Sequence, residues 1–364
     1  MSLVARATLA VASITLALVG CRDSTAPNDA ARSLGVRPSI SRVPADAAPL
    51  DSHIVAPRTT DPAINRALAP HYVWLDRTAR SNRKLLVFMP GANNQPVSWR
   101  LLEKEAARMG YHVIGLMYQN DVAVVEKCNG SDDALCSENM RLEVLDGVDR
   151  TDRVDVSPAN SIDNRLTKLL VWLDENYAHE GWSQFLEDGA PDWRRIVVSG
   201  QSQGAGQAAL IGKLRRVDRV VMFSGPPDAT EAGIPDHWVG IGETPASKYF
   251  ALFHDQDHNG MGIRANLEGL DLLRFGDSVR VECDHPSVND PTVMVECDVP
   301  PPYDDTHMLF TDLKPTKGYA RPNPHQSTAR DDNTPIGADG RPRLRAAWRY
   351  LLGAHDGDDE TPDD

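Results

Sequence analysis

A serine inside a glycine-bracketed turn is the part of this chain whose spacing is best suited to chemistry. Residues 200–204 read Gly-Gln-Ser-Gln-Gly, after the apolar run Arg195–Ser199 and before the helix-forming run Gln207–Ile211. G-x-S-x-G between a strand and a helix is typical of a nucleophile elbow, in which the serine backbone is strained and its hydroxyl stands clear of the sheet edge. Glycine fits at the flanking positions because other backbone comes close there. The pattern predicts Ser202 as a nucleophile.

A base must accompany the serine, because a serine hydroxyl is a poor nucleophile at neutral pH. In enzymes built on this elbow the chain order is serine, then an acid, then histidine, so the base is sought after Ser202. His325 lies on a loop before the last predicted helix, Arg345–Leu352, and is the expected base. His307 is the alternative, although it lies beside an apolar run that is typical of a strand.

Three aspartates are candidates for the acid that orients the base. Asp257 and Asp255 follow the predicted strand Tyr249–Phe253, and Asp228 follows the strand before it. The acid usually lies a few residues past a strand end, where a loop can turn it towards the histidine. Asp257 fits this position best, while Asp255 and Asp228 stay open as alternatives.

Two backbone N–H groups are expected to bind the oxyanion that forms when a serine attacks a carbonyl. One belongs to Gln203, at the start of the helix after the elbow. The other is expected in the loop after the strand Lys84–Met89, where residues 90–93 read Pro-Gly-Ala-Asn. The N–H of Ala92 is the predicted second donor.

Neither a metal nor a cofactor is expected. The run Asp255–Gly260 begins like an EF-hand calcium loop, but Asn266 stands where such a loop requires glutamate, and a strand rather than a helix precedes it. The cysteines lack the C-x-x-C spacing of zinc sites. His254 and His258 are expected to line the mouth of the site or to face solvent.

The N-terminus has the pattern of a lipoprotein signal. Arg6 precedes the apolar stretch Ala7–Val19, which is too short to span a bilayer comfortably. The stretch ends in Leu-Val-Gly-Cys, which resembles the bacterial lipobox and implies cleavage after residue 20 and acylation of Cys21. More than one acyl chain gives stable anchoring. An extracytoplasmic, lipid-anchored protein is expected, on the outer membrane if the cell is Gram-negative, since Arg22 follows; an ordinary secretory signal stays open.

Four further cysteines are expected to form two disulfides. Export places them in an oxidising compartment. Of the three pairings that four cysteines allow, the local ones are favoured, Cys128–Cys136 and Cys283–Cys297. The first pair would close a loop rich in Asp, Asn and Gly. The second would link the similar segments Val-Arg-Val-Glu-Cys-Asp and Val-Met-Val-Glu-Cys-Asp, which read as strands compatible with a hairpin.

The elements that must position these residues alternate between strand and helix. Strands are predicted at 84–89, 112–118, 195–199, 219–223 and 249–253, and helices at 97–109, 161–177, 266–275 and 345–352. This alternation is typical of an α/β fold with a mostly parallel central sheet and helices on both faces.

One folded domain, residues 61–353, is expected between two flexible ends. Residues 21–60 are rich in Ala, Pro, Ser, Asp and Arg and are predicted to be a tether, and residues 354–364 an acidic, disordered tail. The net charge of −14 argues against nucleic acid and against electrostatic binding to anionic lipid. Membrane contact is therefore expected through the N-terminal lipid alone.

From Lys84 to the end of the last helix the chain resembles the α/β-hydrolase superfamily, and within it a bacterial group of secreted or lipid-anchored members of unassigned substrate. The closer resemblance lies in residues 140–147 (Met-Arg-Leu-Glu-Val-Leu-Asp-Gly), 200–206, 324–327 (Pro-His-Gln-Ser) and 348–352 (Trp-Arg-Tyr-Leu-Leu). The superfamily resemblance implies Ser-His-Asp catalysis through an acyl-enzyme, without a cofactor. The group resemblance carries no activity. The loop at Cys128 and the segment at Cys283 depart from a minimal hydrolase core and are expected to shape the substrate entrance.

The expected function is hydrolysis of a carboxylic ester, either a small molecule or one carried on a polymer. Preference for esters over amides follows only from the usual chemistry of the superfamily, so a serine peptidase stays open. The alternative from another class is an inactive hydrolase fold that serves as a binding or scaffold lipoprotein, since this fold hosts many functions. A lidded lipase is not favoured, because residues 228–248, the longest candidate for a lid, are mixed in polarity.

Overall fold

The computed structural model of this chain describes residues 49–229, 234–282, 299–316 and 322–354. Several predicted features lie outside these residues: the signal segment with Cys21, most of the tether, the Cys283–Cys297 pair, and the acidic tail apart from its first residue. No helix within the described ranges is long and apolar enough to span a bilayer.

A sheet of nine strands organises the described residues. It has the order β1-β2-β4-β3-β7-β8-β9-β11-β10, and the remaining two strands, β5 and β6, form a separate hairpin. The strands are β1 Asp51–Val55, β2 His71–Leu75, β3 Leu85–Met89, β4 His112–Gly115, β5 Leu186–Glu187, β6 Ala190–Pro191, β7 Ile196–Gln201, β8 Arg219–Phe223, β9 Tyr249–His254, β10 Val279–Arg280 and β11 Met308–Thr311. The first two strands run antiparallel to their neighbours, and every other pairing in the large sheet is parallel.

Helices cover both faces of this sheet. They are α1 Pro57–Thr60, α2 Arg100–Arg108, α3 Val124–Cys128, α4 Cys136–Asp146, α5 Ile162–Asn176, α6 Gln203–Leu214, α7 Gly260–Gly269, α8 Pro324–Ser327 and α9 Arg345–Leu352. Side chains alternate between the faces along a strand. In β3, Leu85, Val87 and Met89 therefore pack in a core with α4 to α7, and Leu86 and Phe88 pack in a second core with α2 and α9. The chain is a mixed α/β fold with a large, mostly parallel sheet.

The central strands are the ones that the sequence predicts best. β3 and β7 are buried at every residue, which explains their near-continuous apolar sequences, and the predicted strand Arg219–Phe223 and helix Arg345–Leu352 match the observed bounds. The predicted helix 97–109 begins instead as a 3₁₀ turn, Pro96–Trp99, before α2. The predicted helix 266–275 is displaced, because α7 begins at Gly260 and a 3₁₀ turn follows it.

The predicted tether is wrong at its C-terminal end. Residues 51–55 form β1, an edge strand paired with β2, so ordered structure begins before residue 61. The prediction failed because β1 is half exposed and its sequence, Asp-Ser-His-Ile-Val, has little apolar character. Tertiary contacts fix it: His53 stacks on Tyr177 at 3.7 Å between ring centroids and bonds to Glu180 at 3.0 Å.

The two predicted cysteine pairs have different outcomes. Cys128 and Cys136 are joined by a disulfide between the end of α3 and the start of α4, as predicted. The first of the two similar segments begins with β10, which pairs in parallel with β11. The second segment and both cysteines of the second predicted pair, Cys283 and Cys297, lie outside the described residues.

Candidate active site

Ser202 stands at the carboxyl end of β7 in a backbone conformation that serine rarely adopts. Its φ is 56° and its ψ is −118°, and α6 begins at the next residue. A Cβ at Gly200 would overlap the backbone of Gly204, and a Cβ at Gly204 would overlap the carbonyl of Met89. Each glycine is therefore required by close backbone packing. These features are those of the predicted strand–turn–helix elbow.

His325 and Asp257 form a hydrogen-bonded pair at the same edge of the sheet. His325 Nδ1 lies 2.7 Å and 2.9 Å from the two carboxylate oxygens of Asp257, whose side chain is fully buried. An ionised carboxylate only accepts hydrogen bonds, so Nδ1 carries a proton and, in the neutral ring, Nε2 keeps its lone pair. Asn259 N also donates to Asp257 Oδ1 at 2.9 Å. The Asp257 contact thus selects the tautomer of His325 that a general base requires.

The elbow itself holds the backbone of His325. Gln201, the residue before Ser202, donates from Nε2 to the carbonyl of His325 at 2.9 Å. Asn323 caps the short helix α8 by accepting from His325 N at 3.0 Å, and Pro324 fits the first helical turn. These contacts hold the histidine near the serine, which lies 123 residues earlier in the sequence.

The loop after β3 lies against the serine on the other side. A Cβ at Gly91 would lie 3.4 Å from Ser202 Cβ and 2.5 Å from Gln201 Oε1, so a larger residue here would displace the Gln201 side chain. Asn120 Nδ2 donates to the carbonyl of Gly91 at 2.8 Å, and Tyr118 Oη donates to that of Pro90 at 2.9 Å. Hydrogen bonds from the segment after β4 thus hold the loop in place.

The two predicted oxyanion donors flank this contact. Within the described ranges, neither the N–H of Gln203 nor that of Ala92 donates to a protein acceptor. The side chain of Gln203 is occupied elsewhere, because it accepts from Val124 N and donates to Val122 O, both at 3.1 Å. The side chain of Gln203 thus holds the segment that leads into α3.

His307, the alternative base, occupies an aromatic sandwich. Its ring stacks between Phe250 and Phe275, with centroids 4.0 and 4.1 Å away. Burial lowers the pKa of His307 to about 4, with Arg219 acting in the same direction. The ring is therefore neutral at neutral pH, and its Nδ1 is buried without a hydrogen-bond partner among the described residues.

The sheet register separates His307 from the elbow. His307 precedes β11, and extending the β9–β11 register by one residue sets it opposite Phe250, which is level with Ser199 of β7. It therefore lies three strands across from β7 and three residues before the level of Ser202, roughly 14 Å and 10 Å respectively at ordinary strand spacings. His307 cannot serve as the base for Ser202 from this position.

Asp228, an alternative acid, is committed to a buried ion pair. Arg141 of α4 binds both carboxylate oxygens of Asp228, the second through Nη2 at 2.7 Å, and both side chains are almost fully buried. Arg141 also donates from Nη1 to the carbonyl of Gln203 at 3.0 Å, and a Cβ at Gly206 would overlap its guanidinium. This pair supports the first turn of α6 and does not reach His325.

Asp255, the other alternative, lies against His254 instead of His325. Its Oδ1 is 3.2 Å from His254 Nδ1. His254 is buried, donates from Nε2 to Leu313 O at 3.0 Å and accepts from Gln256 N at 3.0 Å, so its role is to fix the loop after β9. The expectation that His254 lines the mouth of the site is wrong, because the ring points into the core.

The calcium-like spacing does not build a calcium loop. Asn266 is fully buried in α7 and donates its side-chain amide to the carbonyls of Pro226 and Asp228. A different group, Asp257, His258 and His325, has one possible metal-ligand atom from each residue within 4.8 Å of the others. His258 is exposed, as expected; burial and the charge of His325 lower its pKa, and Asp257 opposes them.

A pocket of about 530 Å³ lies between the disulfide loop and the segment after β8. Its lining includes Val124, the Cys128–Cys136 disulfide, Asp228 and Asp236. Val124 also donates its N–H to the Gln203 side chain, so one wall residue of the pocket contacts the residue after Ser202. Among the described residues, the lining includes neither Ser202 nor His325 nor Asp257.

Two of the site's supporting residues were missed by the predictions. The Gln201 side chain links the elbow to His325, and Arg141 supports the carbonyl of Gln203. Gln201 was visible only as a variable position of the elbow pattern. Arg141 lies in a segment singled out for its resemblance to a group of hydrolases, which gave it no role.

Known proteins give no identification. No protein-family model matches the chain, and no curated protein matches it.

Proposed function

We propose that this chain is a serine hydrolase of the α/β-hydrolase superfamily, in which Ser202 is the nucleophile, His325 the base and Asp257 the residue that orients the base. The observation that carries the proposal is the Asp257–His325 pair, held by Gln201 beside a strained serine. A mostly parallel sheet with a nucleophile elbow at its carboxyl edge also fits this superfamily.

The proposed reaction proceeds through an acyl-enzyme. As Ser202 Oγ attacks the carbonyl carbon, its proton passes to His325 Nε2, and the N–H groups of Gln203 and Ala92 bind the oxyanion. The protonated His325 then gives its proton to the leaving oxygen as the carbon–oxygen bond breaks. A water molecule repeats the sequence and releases the acid, with Ser202 reprotonated. An oxyanion donor of this kind contributes about 3 kcal/mol to transition-state stabilisation.

The substrate proposed is a carboxylic ester, with the pocket beside the disulfide loop receiving one of its ends. This pocket adjoins the elbow through Val124 and Gln203. Polar side chains in its lining, Asn129, Ser131 and Asp133 among them, favour a polar group over a long fatty chain. The extracytoplasmic, lipid-anchored location remains part of the proposal and depends on Cys21.

Hydrolysis of p-nitrophenyl esters, from acetate to decanoate, tests the proposal. We expect turnover by the wild type that favours the shorter acyl chains and is abolished in Ser202→Ala. Ser199→Ala is the matched control, because its hydroxyl is buried three residues earlier with no hydrogen-bond partner in the described part of the chain. Turnover that survives in Ser202→Ala contradicts the proposal.

The rivals give distinct results in the same assay. A peptidase would cleave aminoacyl p-nitroanilides faster than the matched esters. A folded wild type that hydrolyses neither would support the inactive binding or scaffold lipoprotein.

A further inference from the structure

His258 is an exposed histidine that the proposed reaction does not use, yet it lies directly beside the base. Its ring centroid is 4.8 Å from that of His325, and its Nδ1 is 3.8 Å from Asp257 Oδ1. Its side chain is 67% exposed, whereas those of Asp257 and His325 are 0% and 10% exposed. The second imidazole adds a third possible metal ligand to the Asp257–His325 pair.

The spacing of this donor set suits a tetrahedral metal ion. Bonds of about 2.0–2.1 Å to nitrogen or oxygen place the donor atoms of tetrahedral zinc about 3.4 Å apart. Here one donor atom from each of Asp257, His258 and His325 lies within 4.8 Å of the others, and Asp257 Oδ1 is 2.9 Å from His325 Nδ1 and 3.8 Å from His258 Nδ1. Two imidazoles and one carboxylate also match the ligand preference of zinc, with a fourth position open to water.

The neighbouring residue completes the surroundings that a metal-bound histidine needs. A ligating imidazole usually donates its other N–H to an acceptor. The Asn259 side-chain amide lies 3.2 Å from His258 Nε2. The assignment of oxygen and nitrogen in an amide is interchangeable, so after a flip its oxygen accepts from Nε2–H and leaves Nδ1 for the metal.

We propose that Asp257, His258 and His325 form an inhibitory site for a divalent transition metal, Zn²⁺ foremost. The inhibition rests on the proposed role of His325 as the base. The metal binding does not.

Binding of the metal at this site would remove the base. The metal would take His325 Nδ1, the atom beside Asp257, and the proton there would move to Nε2, which then has no lone pair for the serine proton. A chelator would reverse this, because no covalent bond within the protein changes.

Isothermal titration of ZnCl₂ into the purified, EDTA-stripped protein tests the binding itself. We expect one equivalent of Zn²⁺ to bind the wild type and the affinity to fall at least tenfold in His258→Gln. His237→Gln is the matched control, since His237 is also exposed but pairs with Glu138 away from the cluster. Equal Zn²⁺ affinity in wild type and His258→Gln, or no binding to the wild type, would overturn the site.

Ester hydrolysis with and without Zn²⁺ tests the inhibition separately. We expect Zn²⁺ to suppress turnover by the wild type and the His237→Gln control, EDTA to restore it, and His258→Gln to keep its turnover in Zn²⁺. Binding without any change in turnover would refute the inhibitory role. If the metal-free wild type hydrolyses no ester, the proposed function fails, and the titration still decides whether the metal site exists.

Discussion

His325 and His307 both lie late in the chain and both are largely buried, yet their surroundings are opposite. His325 lies at the carboxyl edge of the sheet, where its Nδ1 is 2.7 Å from the Asp257 carboxylate. His307 precedes β11 at the other end of the strand, with an aromatic ring on each side and no acid at hydrogen-bonding distance in the described part of the chain.

Chain order alone therefore does not decide which of the two histidines lies near the serine. Both histidines satisfy the order of serine, acid and histidine. Only the one after its strand reaches the sheet edge at which β7 delivers Ser202 and the loop after β9 delivers Asp257. The one before its strand is stabilised as a neutral ring by stacking. Variants of His325, Asp257, Arg141 and His307 test these assignments.

Loss of His325 should have the largest effect. We expect His325→Ala to lower kcat for ester hydrolysis by about 10⁶-fold, because the serine then has no base. His307→Ala should leave kcat within about threefold, since its ring is stacked away from the site. Steady-state kinetics on the same ester measures both. A large loss in His307→Ala at normal stability would reverse the assignment.

Loss of the orienting acid should be smaller. Asp257→Asn should lower kcat by about 10⁴-fold, because the amide cannot hold the productive tautomer of His325. Asp255→Asn is the matched control two residues earlier, and its kcat should stay near that of the wild type because Asp255 contacts His254. If Asp255→Asn proved the more damaging of the two, the acid would be misassigned.

The Arg141–Asp228 pair should matter for stability. Arg141→Met leaves the Asp228 carboxylate buried without its partner and should cost about 3–5 kcal/mol of unfolding free energy in urea denaturation. The double variant Arg141→Met with Asp228→Leu should lose less than Arg141→Met alone, because no buried charge is left uncompensated. A double variant less stable than the single one would show that the pair does more than balance charge.

His307 should control how stability depends on pH. Its pKa falls from 6.5 to about 4 on folding, so the unfolded chain binds the proton first as the pH drops. The stability that neutral His307 contributes is complete above pH 6.5 and is lost as the pH falls towards 4, by up to about 3 kcal/mol.

His307→Phe, which keeps the stacked ring without a titrating nitrogen, should reduce this loss. Urea denaturation at pH 4.5 and pH 7 measures it, with exposed His237→Gln as the control. An unchanged difference between the two pH values would mean that His307 titrates alike in both states.

Much of the candidate site could be predicted from the sequence, because its residues follow the ends of strands in a fixed chain order. The elbow glycines are needed for backbone packing, so their spacing is visible in the sequence. The continuous apolar runs of β3 and β7 likewise predicted the centre of the sheet. Asp257 and His325, chosen by position after a strand and before a helix, lie together in the structure.

The features that could not be predicted from the sequence depend on contacts between residues far apart in the chain. The Arg141–Asp228 pair spans 87 residues and the Gln201–His325 contact 124, and neither leaves a local pattern. β1 was missed because an edge strand needs little apolar sequence when its partner strand supplies the hydrogen bonds. His307 could be judged only once the register gave it a strand position.

The most direct measurement of the central claim is the site of modification by a fluorophosphonate, which reacts with activated serines. The purified protein would be treated with the reagent, digested and mapped by mass spectrometry. We expect one phosphonylated residue, Ser202, formed in wild type and His307→Ala and absent in His325→Ala. A folded wild type without an adduct, or an adduct on another serine, would contradict it.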